Sequence, residues 1–132
     1  MRILIVDDDY VSRSKLKAML SAYGDCDAVP NGSLAMDMVK IAQEEAVPYD
    51  LITMDVDMPG ERGQEVVEKI RKWEESTNLS ANPSDIKILM VTVMSQPREI
   101  MTSFRKGCEG YLVKPVTPQS LKESLAKIGF AL

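Results

Sequence analysis

The feature that most constrains this chain is a regular alternation of short apolar runs with stretches of helical periodicity. Five runs have the length and composition of buried strands, and they cover residues 2–6, 26–29, 50–54, 86–91 and 111–113. Each run precedes apolar residues spaced three or four positions apart, which is the pattern of an amphipathic helix. Strands that alternate with helices form a parallel sheet covered by helices on both faces. The sequence therefore predicts an α/β fold, (βα)5, with a doubly wound five-stranded parallel sheet.

Apolar positions and capping residues mark the predicted helices. Residues at helical spacing are Leu16, Met19, Leu20 and Tyr23 in the first helix, Leu34, Met38, Ile41 and Ala42 in the second, Val66, Ile70 and Trp73 in the third, Ile100, Met101 and Phe104 in the fourth, and Leu121, Leu125 and Ile128 in the fifth. Gly24 and Gly107 are expected to end the first and fourth helices. Asn31 or Ser33 can cap the second helix, and Thr117 can cap the fifth.

A polar segment without periodicity covers residues 74–85, and we expect it to form a long or inserted surface loop. We do not expect this segment to separate two domains. A chain of 132 residues is long enough to bury one core. Residues 1–132 are therefore predicted to form a single domain, with no output domain in this chain.

Composition and charge argue against several classes of function. The formal net charge of −4 does not provide the basic surface that nucleic-acid-binding domains use, so no direct nucleic-acid partner is expected. No apolar run approaches the roughly 20 residues that a membrane helix needs. The chain has no histidine and cannot use a histidine-dependent triad. Cys26 and Cys108 match no metal-binding or disulfide pattern, which favours reduced thiols in a cytoplasmic protein.

Polar residues follow four of the predicted strands at the point where each strand ends. Asp7 and Asp8 follow the first strand, Asp55 the third, Thr92 the fourth and Lys114 the fifth. The carboxyl ends of parallel strands lie at one edge of the sheet, and ligands bind there. We therefore expect these five side chains to form one site.

The residue types at this edge suit a metal and a phosphoryl group. Three neighbouring carboxylates repel one another unless a cation neutralises them, and Mg²⁺ prefers such oxygen ligands. The set lacks histidine and cysteine, which argues against zinc. Lys114 can balance an anionic oxygen, and Thr92 can donate a hydrogen bond to it. An aspartate carboxylate can itself be the nucleophile and carry the phosphoryl group.

The order of these motifs resembles the response-regulator receiver domain of two-component signalling. The resemblance covers almost the whole chain and rests on Val6-Asp7-Asp8, on Asp55 with Met58-Pro59 and Gly63, on Thr92, and on Lys114-Pro115. It implies a CheY-like, flavodoxin-like fold with strand order 2-1-3-4-5. It also implies that the chain catalyses only its own phosphorylation and dephosphorylation.

The resemblance implies a metal role for each acid of the site. Asp55 matches the phosphoacceptor, and Asp8 and Asp55 match the direct Mg²⁺ ligands. Asp7 matches a ligand that acts mainly through water, and the backbone carbonyl of Asp57 matches the group that completes the metal shell. Asp9 lies one place beyond the acid pair and is interpreted as a solvated loop residue.

The resemblance also implies roles for the residues that sense the phosphoryl group. Lys114 matches the lysine that pairs with the phosphate, and its bond to Pro115 is often cis in this family. Thr92 matches the switch hydroxyl that moves toward the phosphate. Tyr111 matches the aromatic residue that turns inward with it, although an aromatic residue in a strand can also serve packing alone.

Two positions depart from the pattern of the family. Val93 stands where a very small residue is usual, which would slow the access of a phosphodonor to Asp55. Met94 cannot orient a water by hydrogen bonding, whereas Asp57 could either orient that water or repel hydroxide. Our hypothesis is that Val93 and Met94 prolong the phosphorylated state.

A histidine kinase or histidine phosphotransfer protein is the phosphodonor that the resemblance implies. The implied output surface is the face of the fourth helix, fifth strand and fifth helix, about residues 97–128, which would bind a target protein or support a phosphorylation-dependent dimer of an otherwise monomeric chain. Two alternatives stay open. A Mg²⁺-dependent phosphohydrolase would use Asp55 and a second acid at the spacing of Asp57, but no segment is large enough for its cap. An interaction module would never take phosphate.

Overall fold

The strands and helices alternate strictly along the chain. The computed structural model describes residues 1–77 and 86–131. The strands are β1 (Arg2–Val6), β2 (Asp25–Val29), β3 (Leu51–Met54), β4 (Lys87–Thr92) and β5 (Gly110–Val113). The helices are α1 (Tyr10–Leu20), α2 (Gly32–Glu44), α3 (Gly63–Thr77), α4 (Pro97–Lys106) and α5 (Pro118–Lys127). The predicted alternation is confirmed.

The five strands form one parallel sheet in the order β2-β1-β3-β4-β5, as predicted. From β1 the chain first adds β2 on one side and then crosses to β3 on the other side. The strand order therefore reverses at β1 and β3, which is the position where sheets of this kind bind ligands. Among the described residues, no helix is long and apolar enough to cross a membrane.

Each face of the sheet buries its own apolar core. Successive side chains of a strand point to opposite faces, so Ile3 and Ile5 of β1 enter one core, whereas Leu4 and Val6 enter the other. The first core is covered by α1 and α5, and the second by α2 and α3. Burial on both faces explains why the inner strands β1, β3 and β4 read as nearly continuous apolar runs.

Two predicted boundaries differ from the structure by more than one residue. Helix α1 ends at Leu20 rather than at Gly24, and Tyr23 follows it in a turn. Helix α3 continues to Thr77, so residues 74–77 are helical and not part of a loop. Glu74 is buried and pairs with Arg71, which stabilises this last turn inside the fold. The remainder of the predicted loop, residues 78–85, lies outside the described residues.

The predicted apolar face of α2 is wrong at two of its four positions. Leu34 and Ile41 are exposed, whereas Ala35 and Val39 are buried. The rotation of the helix is set by Gly32 in its first turn, because a Cβ added there would lie 2.5 Å from a methyl group of Val66. This close approach to α3 turns the small residues of α2 inward.

The apolar residues of α4 do not form its packing face. The helix begins at Pro97 and is capped by Gly107 in the left-handed conformation, as predicted. Ser103 is its buried residue, however, and the side chains of Met101 and Phe104 are 62% and 46% exposed. A polar inner face therefore joins α4 to the rest of the domain.

The close contact between Gly63 and the end of β3 yields a first prediction. A Cβ at Gly63 would lie 1.9 Å from the carbonyl oxygen of Asp55. We expect Gly63→Ala to lower the free energy of unfolding by about 1–3 kcal/mol, because the helix must move away from the strand. Urea unfolding measures this change.

Gly60→Asn is the control for this substitution. Gly60 has a φ of +83°, and within the described residues no atom lies within 4 Å of a Cβ built there. Asparagine adopts this left-handed conformation at a smaller free-energy cost than most side chains, so the loss of stability should stay below about 1 kcal/mol. If Gly63→Ala had the same free energy of unfolding as the wild-type protein, the close approach of Gly63 to the Asp55 carbonyl would be contradicted.

The cap of α2 yields a second prediction. The Asn31 side chain accepts a hydrogen bond from the Leu34 backbone N–H at 2.9 Å, so Asn31 and not Ser33 is the cap. Asn31→Ala should lower the free energy of unfolding by about 1 kcal/mol in thermal or urea unfolding. Ser33→Ala should change it little, and the reverse ranking would show that Ser33 is the cap.

Candidate functional site

Three carboxylates meet at the carboxyl ends of the neighbouring strands β1 and β3. Asp7 and Asp8 follow β1, Asp55 follows β3, and one carboxylate oxygen of each lies within 4.8 Å of the others. Asp7 and Asp55 are buried, whereas Asp8 is exposed to solvent. The cluster is therefore open on one side and closed by protein on the other.

The ammonium group of Lys114 lies between two of these carboxylates. Its Nζ donates to Asp7 Oδ2 at 2.8 Å and to Asp55 Oδ2 at 3.4 Å, and it lies 3.3 Å from Ser12 Oγ. Burial lowers the pKa of Lys114, but the hydrogen bond to Asp7 and the charges of both acids outweigh burial and raise that pKa above its ordinary value. The lysine is therefore charged at neutral pH.

The carboxylate of Asp55 is close to several donors but has little contact with solvent. Burial raises the pKa of Asp55 because it disfavours the charged form, and the charge of Asp7 raises it further. The Thr92 hydroxyl, the Lys114 charge and the Asp57 backbone N–H, which donates to Asp55 Oδ1 at 3.1 Å, act in the opposite direction. A cation at this carboxylate would also reduce the free-energy cost of burying its charge beside Asp7.

Thr92 and Tyr111 both contact the loop that joins β4 to α4. The buried Thr92 hydroxyl lies near enough to Asp55 to lower the pKa of that carboxyl, and it accepts from the Met94 backbone N–H at 3.2 Å. The half-buried Tyr111 donates from its hydroxyl to the Met94 carbonyl at 2.7 Å. Burial, with a smaller effect of Glu99, raises the pKa of Tyr111 to about 12. Met94 thus connects Thr92 with Tyr111.

The other residues singled out in the sequence lie around this centre. The Asp57 side chain is exposed, and Val93 is 65% exposed beside the buried Thr92. Met94 is partly buried and packs against the core. The peptide bond between Lys114 and Pro115 is cis, as the resemblance implied.

Asp9, which was interpreted as a solvated loop residue, is exposed but caps α1. Its Oδ2 accepts from the Ser12 backbone N–H at 3.0 Å, and this hydrogen bond lowers the pKa of Asp9. The cap sets the direction in which α1 leaves the acid pair. It therefore determines which side chains of α1 face the site.

Two residues of α1 near the site were missed from the sequence. Ser12 lies beside Lys114, and Arg13 donates to the backbone carbonyl of Asp7 at 2.8 Å. Their spacing after the acid pair was visible, but which side chain of the first helical turn faces the site depends on the cap. No composition or motif signal distinguishes them.

The donor set fits a hard divalent cation. All three side chains offer carboxylate oxygens, and the cluster contains neither a nitrogen nor a sulfur ligand. Mg²⁺ binds through one or two carboxylates with water and phosphate oxygens, and a partly open carboxylate cluster leaves room for those ligands. Asp7, Asp8 and Asp55 are therefore suitable residues to hold Mg²⁺.

Comparison with known proteins places the whole arrangement in a family. Residues 3–126 match the family model described as the response regulator receiver domain. The chain is 33% identical over 130 residues to the chemotaxis protein CheY-3 of Vibrio cholerae, covering 97% of this chain and 91% of that protein.

A larger protein and a solved structure give the same result. The chain is 34% identical over 133 residues to the sensor protein GacS of Pseudomonas syringae, covering 99% of this chain but only 14% of that protein. The structure of the response regulator protein TrrA from Thermotoga maritima, in complex with Mg²⁺ and BeF, is 32% identical with a TM-score of 0.73 and covers 96% of this chain and 97% of that one. This chain therefore belongs to the response regulator receiver domain family.

Proposed function

We propose that Asp55 is the residue of this chain that accepts the phosphoryl group, from a histidine kinase or a histidine phosphotransfer protein. Phosphoryl acceptance is the function of the family. The observation that carries the assignment is the buried Asp55 carboxylate, which lies 3.4 Å from the Lys114 ammonium and beside the Thr92 hydroxyl that lowers its pKa. No other carboxylate among the described residues combines these partners with the Asp7 and Asp8 pair.

In the transfer, a carboxylate oxygen of Asp55 forms a bond to the phosphorus of the phosphohistidine donor. The bond from phosphorus to the imidazole nitrogen breaks, and the imidazole leaves with the electron pair and takes up a proton. Lys114 balances the charge of the phosphoryl oxygens, and Thr92 donates a hydrogen bond to one of them. The products are an aspartyl phosphate on Asp55 and a neutral histidine on the donor.

Asp7, Asp8 and Asp55 would hold Mg²⁺, with the backbone carbonyl of Asp57 as a further ligand. When bound, the metal neutralises the crowded carboxylates and the phosphoryl oxygens. Asp7 and Asp57 also have roles that do not depend on the metal. Asp7 holds the Lys114 ammonium at 2.8 Å, and the Asp57 backbone N–H orients Asp55 through a hydrogen bond of 3.1 Å.

The output surface proposed for this chain is the face of α4, β5 and α5. Met101, Phe104 and Val113 expose apolar side chains there, with Val113 37% exposed. Tyr111 of β5 reaches from this face to the Met94 carbonyl beside the site. Phosphorylation of Asp55 would therefore change the presentation of an apolar surface to a target protein or to a second copy of the chain.

Beryllofluoride, which mimics a phosphoryl group on an aspartate, gives the direct test. In the presence of Mg²⁺, we expect the wild-type protein to form a one-to-one adduct at Asp55, detectable by ¹⁹F NMR. Asp55→Asn should abolish the adduct because the amide lacks the nucleophilic carboxylate. Asp57→Asn, the same substitution two residues further on, should keep it because the proposed role of Asp57 lies in its backbone.

Each alternative function predicts a different result. Failure of the wild-type protein to form an adduct with either beryllofluoride or acetyl phosphate would favour the interaction module. Rapid turnover of diverse phosphate esters would favour the phosphohydrolase. An adduct that still forms in Asp55→Asn would show that another residue is the acceptor.

The lifetime of the phosphorylated state yields a further prediction. Val93, which is 65% exposed directly after Thr92, stands where the family usually has a very small residue, and Met94 offers no side-chain hydrogen bond to an attacking water. Combining Val93→Ala with Met94→Glu should speed hydrolysis of the loaded protein by roughly tenfold, or about 1.4 kcal/mol in activation free energy. Loss of ³²P label from the purified phosphoprotein measures this rate.

Met101→Glu is the control for the added charge, because Met101 is exposed on α4 and away from the approach to Asp55. It should leave the hydrolysis rate within about twofold of the wild-type rate. Equal rates for the wild-type protein and the double variant would refute the role of Val93 and Met94.

A further inference from the structure

Helix α4 is attached to α3 by polar contacts at its start, at its end and just beyond its last turn. At its start, Glu99 contacts the first turn of α3, and at its end Lys106 Nζ donates to Glu68 at 2.8 Å. Beyond its last turn, the Gly107 carbonyl accepts from Arg71 Nε at 2.9 Å. Such contacts exchange with water at a small net free energy, so the position of α4 depends on a few specific groups.

The contact at the start of α4 has the most partners. Gln64 Nε2 lies within hydrogen-bond distance of the Glu99 carboxylate at 3.0 Å, the Glu99 carbonyl at 3.1 Å and Ser103 Oγ at 3.1 Å. Arg62 Nη2 also donates to the Glu99 carboxylate. The Glu99 side chain is only 16% exposed, and Gln64 is buried. Gln64 in the first turn of α3 and Arg62 just before that helix thus hold one carboxylate of α4.

The residues that hold Glu99 are in turn fixed to the backbone of Asp55. Gly63 lies between Arg62 and Gln64, and its N–H donates to the Val56 carbonyl at 2.8 Å. Its Cα packs so closely against the Asp55 carbonyl that a Cβ would lie 1.9 Å from that oxygen. The start of α3 therefore cannot move closer to β3 without displacing the Asp55 carbonyl.

Glu99 lies in the first turn of α4, directly after the loop that carries Met94. This loop leads from Thr92 at the end of β4 to Pro97 at the start of α4. Within it, Met94 bonds both the Thr92 hydroxyl and Tyr111. The position of the first turn of α4 therefore affects whether the Thr92 hydroxyl stays directed at Asp55.

We propose that Glu99, held by Arg62 and Gln64, is a positioning residue that keeps the Thr92 hydroxyl in place for the phosphoryl group on Asp55. This inference rests on the proposed phosphoacceptor role of Asp55. The contact of Glu99 with Arg62 and Gln64 would then raise the affinity for the phosphoryl group as well as the stability of the fold. Without the Glu99 carboxylate, the first turn of α4 and the loop around Met94 are less restrained. The Thr92 hydroxyl is then not positioned before the phosphoryl group binds.

The test compares beryllofluoride and Mg²⁺ affinities in Glu99→Ala. The beryllofluoride dissociation constant in saturating Mg²⁺ should rise about tenfold, as expected for loss of a charge-assisted contact. The Mg²⁺ dissociation constant without beryllofluoride should stay unchanged, because Asp7, Asp8 and Asp55 are intact. The Met94 amide resonance should shift or broaden in the variant. Glu99→Gln, which keeps one oxygen acceptor for Arg62 or Gln64, should have an intermediate beryllofluoride affinity.

Glu68→Ala is the matched control, because it also removes a carboxylate that joins α3 to α4, but at the far end of α4. It should lower stability without changing the beryllofluoride affinity. Wild-type beryllofluoride affinity in Glu99→Ala, or equal losses in Glu99→Ala and Glu68→Ala, would overturn the inference while leaving the phosphoacceptor role intact. A wild-type protein that binds no beryllofluoride would overturn both.

Discussion

The mutual repulsion of three carboxylates at the ends of β1 and β3 is the constraint on which the site depends. Asp7, Asp8 and Asp55 lie within 4.8 Å of one another, and burial raises the pKa of Asp55. Protein donors reduce this penalty in part, with Lys114 closest to Asp7. The remaining excess of negative charge makes the cluster a favourable place for a cation.

The sheet brings these charges together because its register leaves little freedom. In the paired strands Val6 is opposite Met54, so the acids that follow them enter the edge at the same level. Close approach of α3 holds β3 from the other side, since Gly63 has no Cβ to separate the helix from the Asp55 carbonyl. Apolar cores on both faces of the sheet keep this framework rigid. The edge can then hold like charges near one another without the strands moving apart.

Helix α4 differs from this rigid framework. Its inner contacts are polar, and Met101 and Phe104 face solvent. An element held by a few hydrogen bonds and ion pairs can take a second position at a smaller free energy than one held by an apolar face. The helix beside Thr92 and Tyr111 is thus better suited to move than the helices that bury the cores. The polar contact at Glu99 connects that helix to the backbone of Asp55.

The sequence by itself determined the alternation of strands and helices, the cap at Thr117, and the five polar residues at strand ends, because these depend on local periodicity and on the direction of parallel strands. Tertiary structure alone decided which way the helices face. Leu34 and Ile41 of α2 look as suitable for a core as Val39, and only the contact of Gly32 with Val66 turns them outward. The contacts of Ser12 with Lys114 and of Gln64 with Glu99 join residues separated by 102 and 35 positions. Such pairings carry no local pattern, since they exist only when packing brings distant segments into register.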